Sequence, residues 1–68
     1  MEIGERIKRL RKEKGVTQVQ LAKDLNINKS TIGHYETNKR RPEYEILILL
    51  AQYLETSTDY ILGIDKKV

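Results

Sequence analysis

Apolar residues recur along this chain at three- and four-residue intervals, the spacing that aligns one face of an α-helix. Ile3, Ile7 and Leu10 share such a stripe, and Lys14 precedes Gly15, which is free to take the left-handed conformation that ends a helix. A first helix is therefore predicted over about Ile3–Lys14, with Val16 placed for the apolar contact that accompanies such an ending. Thr17 reads as an N-cap with Gln20 as its capping-box partner. Leu21, Ala22 and Leu25 then form the apolar face of a second helix, about Gln18–Leu25. Asn26 tolerates positive φ, Ile27 is an apolar plug in the turn, and Asn28 is a second N-cap. A third helix, about Lys29–Glu36, turns Ile32 and Tyr35 inward. After the polar, basic loop Thr37–Arg41 and Pro42, a fourth helix runs about Tyr44–Leu54 on an inner stripe of Leu47, Leu50, Ala51 and Leu54. Ser57 caps a fifth, about Thr58–Leu62, which Gly63 stops. No alternating β-branched run and no Asn-Gly or Asp-Gly turn signals a strand. The expected fold is all-α: one domain over residues 1–63, with residues 64–68 as a frayed C-terminal tail.

Composition narrows the class of function. The 68 residues include no cysteine, so neither a disulfide nor a thiolate metal site is available. The longest apolar run, Ile46 to Ala51, is far short of the roughly 20 residues that span a bilayer. No hydrophobic signal segment follows Met1, which makes a cytoplasmic address the expectation. With a single histidine and no nucleophile–base–orienter set, neither an enzyme nor a bound metal or other cofactor is expected.

The net charge of +3 conceals an asymmetry. Residues 1–41 carry eleven Lys or Arg against five acids, a net +6, whereas residues 42–68 carry two against five, a net −3. Such a division suits a domain with one end facing phosphates, although a solvated surface of uneven charge explains it as well.

Helices two and three sharpen the choice. Two capped helices joined by a turn of about three residues form a helix-turn-helix pattern. Small Ala22 allows the two helices to cross closely, Leu21 and Leu25 pack under the turn, and Ile27, Ile32 and Tyr35 anchor the third helix. Its opposite face, Lys29, Ser30, Gly33 and His34, has no apolar residue. A helix pinned on one side and small or polar on the other fits the DNA major groove.

The runs Thr17-Gln18-Val19-Gln20-Leu21-Ala22, Leu25-Asn26-Ile27-Asn28-Lys29-Ser30-Thr31-Ile32 and Tyr35-Glu36 resemble the phage-repressor/Cro, or XRE-like, helix-turn-helix family. Pro42, Leu47, Ala51, Leu54 and Ser57-Thr58-Asp59-Tyr60-Ile61-Leu62-Gly63 extend the resemblance over nearly the whole chain. It implies a five-helix lambda-repressor-like domain and a sequence-specific transcriptional regulator, a repressor in the first instance. Such a protein binds a palindromic operator in double-stranded DNA as a homodimer. Base contacts are implied for Lys29, Ser30 and His34. Gly33 either approaches a thymine methyl or the sugar–phosphate wall, or is simply a tolerated glycine. Phosphate contacts are implied for Gln18, Asn28, Thr31, Thr37, Asn38, Lys39 and Arg40, with Gln18 also bracing the recognition helix. An ion pair between Arg11 and Glu36 is implied as well, and a cation there suits a glutamate at an unfavourable helix C-terminus. Asn26 and Asn38 stand where the family often has glycine.

Ile46, Leu49 and Tyr53 form a second apolar stripe on helix four, which a helix with one buried face does not need. Either helix five and the tail cover it, or it belongs to an interface. The resemblance places a weak two-fold contact nearby, involving Leu49, Tyr53, Glu55, Thr56 and Ser57. A protein partner on helix four, such as a toxin, is the alternative from another functional class. Tyr35, Tyr44 and Tyr60 are expected in or at the edge of the core.

Overall fold

Helix boundaries in this protein are set by local backbone chemistry. The computed structural model describes residues 2–64, which form α1 (Ile3–Lys14), α2 (Gln18–Leu25), α3 (Lys29–Glu36), α4 (Tyr44–Tyr53) and α5 (Thr58–Leu62). Gly15 and Gly63 end α1 and α5 in the left-handed conformation, and Asn26 does the same for α2 at φ 59°. Thr17 and Ser57 cap α2 and α5 by accepting hydrogen bonds from the Gln20 and Tyr60 amides. The side chain of Gln20 does not complete the expected capping box. It donates instead to Asp24, one turn along α2. A reciprocal box does form at α1, between Glu2 and Glu5. Helix α4 stops at Tyr53 rather than Leu54, which serves as its C-cap and remains buried. Of the expected tail, residues 65–68 lie outside the described residues.

Every helix supplies one side chain fully removed from solvent: Ile7, Leu21, Ile32, Leu50 and Ile61. Ala22, Tyr35, Leu47, Ala51 and Leu54 complete the core, and partly buried Ile3, Leu10, Leu25, Ile27, Ile46 and Tyr53 pack against it. Ile46 and Tyr53 therefore belong to the core margin. Tyr53 is held by α2 and α1: its hydroxyl donates to Asp24 of α2, and Lys14 of α1 lies 5.2 Å from its ring centre. That hydrogen bond holds the Tyr53 phenol above its ordinary pKa. Only Leu49 of the second stripe stays open, at 40 % exposure. Tyr44 is not at the core edge but 76 % exposed, at the start of α4 just after the basic loop.

A close approach fixes α1 against the end of α3. Gly4 is buried with its backbone against the Tyr35 and Glu36 carbonyls, so a Cβ there would stand 2.3 Å from the Tyr35 oxygen. The Gly4 amide donates to Asn38 Oδ1 at 2.9 Å, and Asn38 itself is left-handed at φ 64°. Gly33 is the opposite case, with nothing within 4 Å of an added Cβ. Gly4→Ala is accordingly expected to cost about 1–3 kcal/mol through overpacking. Gly33→Ala is expected to stabilise α3 by up to about 1 kcal/mol. Urea unfolding of both variants checks the contrast, with midpoints moving in opposite directions at unchanged slope.

Candidate nucleic-acid interface

The turn between α2 and α3 is closed by backbone bonds from Asn26 to Lys23 and from Ile27 to Ala22. Leu21, Ala22 and Ile32 pack in the angle between the two helices, and half-buried Ile27 fills the turn as its sequence suggests. On the far side of α3, Lys29, Ser30 and His34 are exposed and Gly33 is half-buried. The four expected base-reading positions thus lie together on one outward face.

The two ends of α3 are treated differently. At its N-terminus, the Asn28 side chain makes no capping bond, which leaves its carboxamide exposed beside the first helical amides. At its C-terminus, Glu36 is buried and receives Arg11 through two nitrogens, Nε at 2.6 Å and Nη2 at 3.2 Å. Gln18 Nε2 donates to the same carboxylate at 2.9 Å. Arg11 Nη1 donates to the Val16 carbonyl at 2.8 Å, which ties the α1–α2 turn into the network. The expected pair is therefore present, and Gln18 braces α3 directly through its amide.

Loop 37–41 is anchored on this same end. The Lys39 and Arg40 amides both donate to the His34 carbonyl, and the side chains of Lys39 and Arg40 point to an exposed surface. Two members of the expected phosphate set have internal duties. Asn38 spends its carbonyl oxygen on Gly4 and keeps its amide nitrogen as the donor toward solvent. The Thr37 hydroxyl and its backbone amide both donate to the Gly33 carbonyl. Thr37 thereby caps the C-terminus of its own helix. Thr31 is half-buried and lines a cleft with Asn28, Tyr35 and Arg40.

The expected two-fold segment is likewise occupied internally. Glu55 pairs with Lys14 at 3.2 Å from a left-handed backbone, Ser57 caps α5, and Thr56 is half-buried. No sequence signal marked the Tyr53–Asp24 bond or the Gly4 contact, since both join residues far apart in the chain.

Residues 7–61 match the family model described as helix-turn-helix. The chain is 38 % identical over 66 residues to the HTH-type transcriptional regulator ImmR of Bacillus subtilis, covering 97 % of this chain and 52 % of that protein. It spans about half the length of the curated relatives it matches. Its structure is similar to that of the P22 c2 repressor in complex with a synthetic operator, with a TM-score of 0.90 and 32 % identity over 96 % of this chain and 98 % of the other. It is also similar to the biofilm master regulator SinR of Bacillus subtilis in complex with DNA, with a TM-score of 0.80 and 33 % identity, covering 87 % and 95 % of the two chains.

Arg11→Ala and Glu36→Ala are each expected to destabilise by about 3–5 kcal/mol, because each strands a buried charge. The double variant is expected to lose much less than the sum of the two. A urea double-mutant cycle measures that coupling.

Proposed function

The chain belongs to the helix-turn-helix family, whose members matched here are transcriptional regulators and not enzymes, and on that footing we propose that it is a sequence-specific regulator of transcription that binds double-stranded DNA through α3. One observation carries this reading. Helix α3 is locked at its C-terminus by a buried ion pair, while its N-terminal and outward positions are polar, exposed and unengaged. Such a helix enters a major groove without reorganising, so little affinity is lost to ordering.

Roles divide along α3 and the loop behind it. Lys29 donates to guanine O6 or N7, and His34 bonds a purine edge one turn later. Ser30 sits between them, with a hydroxyl that both donates and accepts and so discriminates weakly. Gly33 brings the helix backbone close to a thymine methyl or the groove wall. Gln18, Asn28, Thr31, the Asn38 amide, Lys39 and Arg40 hold phosphates, which sets register more than sequence preference. The similar P22 c2 repressor and SinR structures in complex with operator and DNA support this assignment.

The regulator acts as a homodimer on a palindromic operator, in the cytoplasm, and in the first instance as a repressor that occludes a promoter. Two-fold pairing sets the recognition helices about 34–36 Å apart, one turn of duplex. Leu49 is the residue of the second stripe that remains for the two-fold contact, together with the Glu55–Ser57 turn. A partner protein bound on a broad apolar face of α4 is disfavoured, because Ile46 and Tyr53 already pack on the core.

Selection of bound duplexes from a random pool is expected to recover an inverted repeat with half-sites about one helical turn apart. Lys29→Ala and His34→Ala are expected to relax one base position each, at a cost of about 1–3 kcal/mol on the preferred site. Lys39→Ala with Arg40→Ala is expected instead to weaken all duplexes alike and to reduce the salt slope by about 2. Recovery of no preferred sequence at moderate salt overturns the reading.

A further inference from the structure

Tyr35 has an unexpected hydroxyl. The residue is only 2 % exposed and sits in the core beside Ile32, so a purely structural role would be served by an apolar ring. A buried tyrosine normally finds a hydrogen-bond partner for its phenol. Among the described residues no sealed polar side-chain atom lacks a partner, yet the Tyr35 hydroxyl has none. The hydroxyl is therefore the part of Tyr35 that reaches the surface.

It reaches the surface beside cations. Tyr35 lines a cleft between the N-terminus of α1 and the loop after α3, together with Glu2, Ile3, Asn38, Arg40 and Arg41. Neither arginine has an ion-pair partner among the described residues. The Glu2 carboxylate is committed to the capping box of α1, and the Asn38 amide is oriented by the Gly4 contact. Burial pushes the Tyr35 phenol above its ordinary pKa, the Arg40 guanidinium opposes that rise and Glu43 adds to it. The phenol therefore remains a neutral hydrogen-bond donor close to Arg40. Tyr35 and Arg40 also line a second cleft, but that one holds Glu43 where the first holds Arg41, so the first has the more positive character.

We propose that this cleft is a phosphate site, in which the Tyr35 hydroxyl and the Arg40 guanidinium together hold one backbone phosphate of the bound duplex, with Arg41 and the Asn38 amide at its rim. Tyr35 and Arg41 thereby join the DNA-contacting residues, and Tyr35 links the core under α3 to the sugar–phosphate chain. The assignment rests on the DNA-binding reading above and makes it more specific. A rigid, pre-placed donor of this kind fixes how deeply α3 seats and has no intrinsic sequence preference.

The test is Tyr35→Phe, which keeps the ring, on the duplex recovered by selection. Affinity is expected to fall about five- to tenfold, equally for preferred and scrambled duplexes. The salt slope should stay unchanged, since a neutral donor releases no counterion, whereas Arg40→Ala should lower it by about one. A scan of single methylphosphonates along the duplex should find one position that weakens the native protein and leaves Tyr35→Phe indifferent. Native binding with no effect of Tyr35→Phe overturns the phosphate site and leaves the regulator reading standing. Absence of any preferred duplex for the native protein overturns the regulator reading itself. A third arm titrates inorganic phosphate at fixed ionic strength and follows the Tyr35 ring by NMR. No saturable shift is expected; saturation that leaves duplex binding unchanged overturns the DNA source in favour of a free small anion.

Discussion

The buried carboxylate of Glu36 is the point on which the rest of this small domain turns. It sits at a helix C-terminus, where the macrodipole is unfavourable to negative charge, and it is almost entirely removed from water. Alone it would be prohibitively costly. Arg11 and Gln18 satisfy it with three hydrogen bonds, and the remaining reach of Arg11 goes to the Val16 carbonyl. The net gain in stability from such a pair is small or absent, because desolvation offsets most of the attraction. Its effect is geometric. Helices α1, α2 and α3 meet in one polar knot, and rotation of α3 would break all three bonds to its carboxylate.

The other constraint at the same end of α3 is steric. Gly4 lets the α1 backbone lie against the carbonyls of Tyr35 and Glu36, and Asn38 closes the arrangement by accepting from the Gly4 amide. Ion pair and close approach act on the same last turn of α3 from different residues of α1. Between them the helix is fixed in direction and in rotation, so its exposed face points one way. This explains how so small a chain, with no cysteine for a disulfide, presents a rigid outward face on α3. The rigidity lies in the connection of α3 to α1 and α2, not in the outward residues themselves.

Local signals in the sequence were nearly sufficient for the helices. Gly15, Asn26 and Gly63 stop three of them by backbone conformation, and Thr17 and Ser57 start two by capping, all within four residues of the event they control. The apolar stripes placed Ile7, Leu21, Ile32 and Leu50 in the core for the same reason. What the sequence could not display was long-range partnership. Gln20 looked like a capping-box member but found Asp24 closer to hand. The stripe of Ile46, Leu49 and Tyr53 looked unpartnered because the bond to Asp24 joins residues 29 positions apart. Arg11 and Glu36 were legible through family resemblance, with only the dipole argument independent of it. Gly4 carried no mark at all, since a glycine near a helix start is indistinguishable in sequence from one that is merely tolerated. The outward residues of α3 were legible as a face, because the absence of apolar side chains is itself a local pattern. The turn of the Thr37 hydroxyl onto the Gly33 carbonyl was not legible in the same way.

This division between the two ends of α3 has a functional logic. A recognition helix must keep its N-terminal amides and outward side chains unengaged until DNA arrives, which denies those groups any part in holding the helix. The orientation must then come entirely from the opposite end. The structure follows that requirement: Asn28 leaves its cap unmade, whereas Tyr35, Glu36, Thr37 and Asn38 each make contacts that secure the C-terminal turn. The loop that continues from this turn carries Lys39, Arg40 and Arg41, with the first two amides bonded to His34. Its cations are thus held in fixed relation to the reading face and do not trail from it. On the DNA-binding reading proposed above, the groups assigned to bases and those assigned to phosphates share one rigid support, so register on the backbone and sequence at the base edges are tested together.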